Sequence, residues 1–122
     1  MAFEDVTFEF AHVGVKGQTR EEAERLLRFC QNVFKMDDAR EMPTSHFIAD
    51  NKMELMKEGG RGTLGHLAFY TPDIDRAIEY LKSQGYEMDY DSTRYEADGK
   101  TISLIYIKGE MNGFGIHLTN KK

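Results

Sequence analysis

The sequence has one cysteine, Cys30, among its 122 residues. That excludes an internal disulfide framework and any cysteine-rich zinc site, and a reducing, cytoplasmic setting is expected. Positive charge is also scarce. Lys and Arg number 16 against 21 Asp and Glu, a formal net charge of −5. Without a basic stripe to hold a phosphate backbone, no nucleic-acid partner is expected. Long apolar runs are missing too, and none approaches the ~20 residues that cross a bilayer, so no membrane partner is expected. The start, Met1-Ala2-Phe3-Glu4-Asp5, is acidic where a secretion signal would be basic. What remains is ordinary for a soluble globular chain, with 40% hydrophobic and 30% charged residues. That is enough to form a core without covalent staples.

Residues 6 to 16 are rich in β-branched and aromatic types and read as a strand ended by Gly17. Alternation puts Phe8, Phe10, His12 and Gly14 on one face. Thr19 suits an N-cap, Glu21 and Glu22 suit the first helical turn, and Ala23, Leu26, Leu27, Cys30, Val33 and Phe34 mark one apolar stripe. Cys30 on that stripe reads as a core residue. Two strands are expected near residues 45–49 and 52–57, joined by the turn pair Asp50-Asn51. Residues 58–62, Glu-Gly-Gly-Arg-Gly, read as a flexible connector.

The pattern then repeats. Residues 64–70 read as a strand, and Pro72 suits a first helical position. Ile74, Ala77, Ile78 and Leu81 give a second apolar stripe that ends before Gly85. Strands are expected at residues 86–90, 101–108 and 114–119, with hairpin turns at Asp98-Gly99 and Asn112-Gly113. The opening strands align Ala11-His12-Val13-Gly14-Val15 with Gly65-His66-Leu67-Ala68-Phe69. The closing strands align Met53-Glu54-Leu55 with Ile116-His117-Leu118. A repeated half-unit of this kind suggests duplication and a pseudo-twofold axis.

His12, Glu54, His66 and His117 all sit in strands between apolar neighbours. If the apolar rows pack under helices, Glu54 and His117 face the other side of the sheet. A carboxylate and several imidazoles are costly to bury there unpaired, and a divalent cation removes that cost by binding them together. His46 has no counterpart in the second half and reads as a surface or supporting residue. Lys52, Arg61, Arg94 and Lys108 are candidates to hold an anionic substrate.

On these motifs the whole chain resembles the vicinal oxygen chelate superfamily, which includes glyoxalase I, extradiol dioxygenases and bleomycin-resistance proteins. The resemblance implies an α+β fold. Two tandem βαβββ modules, about residues 1–60 and 61–122 of a single glyoxalase-like domain, form a U-shaped mixed sheet with the helices on its outer face. It implies a divalent metal (Zn, Ni, Mn, Co or Fe) held by His12, Glu54, His66 and His117. His117 departs from the family's usual closing acid, which argues against strict glyoxalase I activity.

The function implied is a metal-dependent lyase or isomerase. It acts on a small 2-oxo or vicinal-oxygen substrate through a metal-stabilised enolate, possibilities including isomerisation, epimerisation and aldol cleavage. Glu54 is the expected base, and Arg61, Tyr106 and Lys108 the expected substrate contacts. The partners implied are a small-molecule substrate and a second copy in a homodimer. Two alternatives compete. One is an extradiol-type dioxygenase using a His12, His66 and Glu54 triad, with Phe47, Tyr70 and Tyr106 around an aromatic pocket. The other is a non-catalytic sequestration protein of the bleomycin-resistance type.

Overall fold

A computed structural model describes residues 3–122; Met1 and Ala2, the first residues of the acidic start, lie outside the described residues. The first half runs β1 (Glu9–Lys16), α1 (Arg20–Val33), β2 (Arg40–Met42), β3 (Ser45–Ile48) and β4 (Met53–Met56). The second half runs β5 (Gly65–Tyr70), α2 (Ile74–Ser83), β6 (Met88–Tyr95), β7 (Ile102–Ile107) and β8 (Phe114–Thr119). All eight strands form one mixed sheet in the order β2-β3-β4-β1-β5-β8-β7-β6. The opening and closing strands of each half pair in parallel, β1 with β4 and β5 with β8. The two opening strands meet antiparallel at the centre.

Strict alternation sorts the side chains. Ile48 and Leu55 pack with Cys30 beneath α1, with Leu26 and Leu27 against them. Ile105 and Leu118 pack with Ile74, Ala77 and Ile78 beneath α2. Each helix thus covers its own half. Burial of Ile48, Leu55, Ile105 and Leu118 contributes about 1.5–3 kcal/mol each. Their sequence neighbours Phe47, Glu54, Leu104, Tyr106 and His117 line a cavity on the opposite face.

Local chemistry sets the helix ends. Thr19 accepts a hydrogen bond from the Glu22 amide, and Asp73 accepts one from the Arg76 amide. Asp73, rather than a helix opening at Pro72, caps α2, because its carboxylate satisfies an otherwise orphaned N–H. The stripe on α1 ends sooner than expected. Val33 and Phe34 are more than half exposed, and Phe34 is the C-cap.

Register shifts in two strand pairs depart from simple alternation. A register shift between Phe10 and His12 inserts Ala11 into β1. Phe10 is therefore opposite Phe69 and His12 opposite Ala68, so Phe10 leaves the face that His12 occupies. The second is larger. Strand β6 runs on to Tyr95, well past the expected end at residue 90, because its pairing with β7 jumps from Asp89 to Arg94. The residues between form a bulge. It is held by the Ser92 hydroxyl, which donates to the Asp89 carbonyl at 2.6 Å and accepts from the Tyr106 amide at 2.8 Å.

Candidate metal centre

Register decides which side chains meet. Gly14 of β1 is opposite both His66 of β5 and Glu54 of β4. In the second half, Ala68 of β5 is opposite both His12 of β1 and His117 of β8. The small residue two places after each opening histidine thus faces the opening histidine of one half and the closing ligand candidate of its own. Size matters at both positions. A Cβ added to Gly14 would fall 2.1 Å from the His66 ring, so glycine leaves the space in which that imidazole lies.

Three donor atoms form a tight triangle. His12 Nε2 and His66 Nε2 are 3.2 Å apart, and Glu54 Oε1 lies 3.3 Å from the first and 3.0 Å from the second. His117 completes a set of three imidazoles whose donor atoms all lie within 4.8 Å of one another. The His117 ring centroid is 5.1 Å from that of His66 and 5.8 Å from that of His12.

The two Nε2 atoms face each other and the Glu54 carboxylate, with no side chain of the described residues between them. His117 Nδ1–H donates to its neighbour's carbonyl, Leu118 O, at 3.2 Å, which leaves Nε2 as that ring's lone-pair donor. Bonds of ~2.1 Å at angles of 90–109° put neighbouring ligand atoms about 3.0–3.4 Å apart. The triangle has those edges, and the donor set, imidazoles with one carboxylate, is one that Zn, Ni, Co and Fe accept. The residues present therefore fit a divalent cation.

The electrostatics agree. Burial acts to raise the Glu54 pKa, but hydrogen bonds with His12, His66 and Ser45 outweigh it and hold the carboxyl well below its ordinary range. The Ser45 hydroxyl supplies the shortest of these, 2.7 Å to Oε2. Glu54 is therefore an ionised, anchored carboxylate. Desolvation drops the His117 pKa from 6.5 to about 3, keeping the ring neutral and able to donate. Burial, helped by the Glu54 charge, pushes Tyr106 up to about 12, so it stays a phenol. Its ring lies 4.9 Å from that of His117.

The donors open into a cavity of about 670 Å³. Of the expected substrate contacts, Arg61 and Tyr106 line it. Arg61 also bonds Asp89 at 2.8 Å and covers the Tyr106 ring at 5.2 Å. Lys108 is elsewhere, in an exposed pair with Glu87 at 3.5 Å. Phe47 is in the wall, whereas Tyr70 is not among the lining residues. The connector at residues 58–62 is tethered, because Lys16 Nζ donates to the carbonyls of Gly60 and Gly62, each at 3.1 Å. His46 is buried on the opposite face, and its Nε2 has no hydrogen-bond partner among the described residues.

Sequence reasoning missed Ser45 and the β6 bulge. Ser45 was findable. The Asp50-Asn51 turn puts Phe47 opposite Glu54, and Ser45 is two residues away on the same face. The bulge left no such signal, and it brings Asp91, Ser92 and Thr93 to the cavity wall.

No protein-family model matches the chain, and no curated protein matches it in sequence. Solved structures do. A hypothetical protein from Bacillus halodurans is 18% identical with a TM-score of 0.63, over 95% of this chain and 96% of its own. Methylmalonyl-CoA epimerase from Mycobacterium tuberculosis is 17% identical with a TM-score of 0.59, over 90% and 85%. The fosfomycin resistance protein FosX of Listeria monocytogenes, solved with Mn(II), is 20% identical over 93% of each chain, but its TM-score of 0.34 is too low to carry weight. At these identities the likeness is one of fold, a mixed sheet with two helices shared with the Bacillus halodurans protein and the epimerase.

Proposed function

We propose that this chain, built on the vicinal oxygen chelate fold, is a metal-dependent enzyme of the glyoxalase-like type. Its substrate is a small 2-oxo or vicinal-oxygen compound, and its reaction a lyase or isomerase step begun by removing a proton next to a carbonyl. What supports the reading is three imidazoles, His12, His66 and His117, with donor atoms within 4.8 Å of one another, and Glu54 Oε1 at 3.3 and 3.0 Å from the first two. His12, Glu54, His66 and His117 would hold Zn, Ni, Mn, Co or Fe. A divalent cation there supplies Lewis acidity, which lowers the cost of negative charge on a substrate oxygen as its neighbouring C–H bond breaks.

The chain's own residues do the rest. Ser45 and the two opening imidazoles keep Glu54 ionised, which suits a ligand. As a base, Glu54 takes a proton at Oε1 only after its bonds to His12 and His66 loosen. Tyr106, held as a phenol, donates a hydrogen bond toward substrate oxygen. Phe47, Met56 and Leu104 keep part of the cavity apolar. A homodimer in a reducing cytoplasm completes the proposal, and its mass in solution tests the first part.

The dioxygenase reading draws on the same triangle, since two imidazoles and one carboxylate on one side form a facial triad. His117 argues against it, because a fourth protein donor would leave fewer positions for oxygen and substrate.

Metal analysis is the direct test. Purified protein should hold about one divalent ion per chain, and His12→Ala and Glu54→Ala should each lower its affinity at least ~10-fold with the fold retained. Loaded protein in D2O should exchange hydrogens next to the carbonyl of small 2-oxo acids, followed by proton NMR. A folded wild type that takes up no metal overturns the reading. Oxygen uptake with a catechol would replace it with the dioxygenase.

A further inference from the structure

We infer that Arg94 is an oxyanion anchor, and that the substrate carries a carboxylate or phosphate group a few bonds from its reacting oxygens. The inference rests on the metal-site reading above and narrows its substrate class.

The cavity holds two guanidinium groups, and they differ. Arg61 is committed to Asp89 through a 2.8 Å ion pair and lies against the Tyr106 ring. Arg94 lines the same cavity, and its guanidinium has no ion-pair or hydrogen-bond partner among the described residues. It still feels the site, because its charge acts on Tyr106 to lower that group's pKa, against the larger effect of burial. An unpaired guanidinium on a cavity wall is a planar fork of N–H donors, the group best matched to a carboxylate or phosphate.

The backbone aims Arg94 there. After the β6 bulge, Arg94 pairs with Leu104, and Leu104 pairs with Thr119. Two residues along the same strands, Tyr106 pairs with His117. On a flat sheet these steps put Cα of Arg94 roughly 12 Å from Cα of His117. Both residues line the same cavity, Arg94 at its exposed rim, and a separation of that order suits an oxyanion group a few atoms from the metal donors. Without the bulge, unbroken pairing from Asp89 would put Asp91 rather than Arg94 opposite Leu104. The bulge's three additional residues are what carry Arg94 to the wall.

The charge balance supports an anion. The chain as a whole carries −5, yet the charged side chains lining the cavity, Glu54, Asp91, Arg61 and Arg94, cancel. With neutral imidazoles and a bound divalent cation the cavity is net positive. Asp91, with no ion pair to Arg94 among the described residues, leaves that guanidinium available.

Three hydroxamates test this on cobalt-loaded protein, with the visible Co(II) spectrum as readout. Acetohydroxamic acid presents two vicinal oxygens and no remote charge. Succinic monohydroxamic acid adds a carboxylate, and phosphonoacetohydroxamic acid adds a phosphonate. At least one anionic probe should bind roughly tenfold or more tighter than acetohydroxamic acid, and whichever is tighter identifies the head group. Arg94→Gln should abolish that preference and leave acetohydroxamic acid within about twofold, and Arg94→Lys should restore part of it. Lys108→Gln, outside the cavity, should change nothing. Equal binding of all three by wild type, or a preference that survives in Arg94→Gln, overturns the anchor while the metal site stands. Failure to bind cobalt removes both.

Discussion

At the residue scale, the site depends on one hydrogen atom. Gly14 has no side chain where the His66 imidazole lies, and any Cβ there would meet the ring at 2.1 Å. Gly14→Ala should push His66 out of the triangle. Metal affinity should fall about 10–100-fold, with stability lower by about 1–3 kcal/mol. Metal titration and a thermal melt measure the two effects, and an unchanged affinity would show that the ring does not need that space. Protonation gives a second residue-scale test. Desolvation lowers the folded pKa of His117 from 6.5 to about 3. The unfolded chain binds that proton below pH 6.5 while the folded chain does not, so stability falls as pH drops from 6.5 toward 3. Glu54 is also depressed, so its contribution is present above 4.5 and fades below that value. Metal-free protein should lose several kcal/mol across this window, measured by urea unfolding at a series of pH values. His117→Asn should flatten the arm between pH 6.5 and 4.5, where Glu54 has not yet titrated.

At the scale of elements, the β6 bulge does most to shape the cavity. Its buried Ser92 hydroxyl ties the Asp89 carbonyl to the Tyr106 amide across the strand pair. Ser92→Ala leaves that amide without its partner and should cost about 1–3 kcal/mol. It should also loosen Arg94 and Tyr106 together, so anion preference should fall while metal affinity holds. Stability lost with the preference intact would mean that the bulge does not position Arg94. The helices are simpler. Thr19→Ala removes the cap of α1 and should cost about 1 kcal/mol in denaturant unfolding, with little effect on the site.

At the scale of the whole molecule, two halves with separate cores share one sheet. Ile48 lies under α1 and Ile105 under α2, both fully buried and in different clusters. Ile48→Val and Ile105→Val should each cost about 0.5–1.5 kcal/mol. The double variant should equal their combined effect within about 0.5 kcal/mol, because no packing is shared. A larger discrepancy in a double-mutant cycle would show that the sheet couples the cores. No helix among the described residues is long and apolar enough to cross a membrane.

The element order and the division into two faces were legible in the sequence, because alternation and 3.6-residue periodicity are local properties of the chain. Leu55 and Leu118 announced the helix side, so Glu54 and His117 between their neighbours had to face away. The pairing of His12 with His66, and of Glu54 with His117, was legible for the same reason, since duplicated strands repeat their local pattern. Tertiary structure alone decided the rest. A bulge adds residues without changing which types suit a strand, so neither the turning of Phe10 nor the extension of β6 had a mark in composition. Lys108 and Arg94 look alike in the sequence as single cationic residues. Which of them reaches the cavity depends on register across β6, β7 and β8, and register comes from hydrogen bonds between segments far apart in the chain.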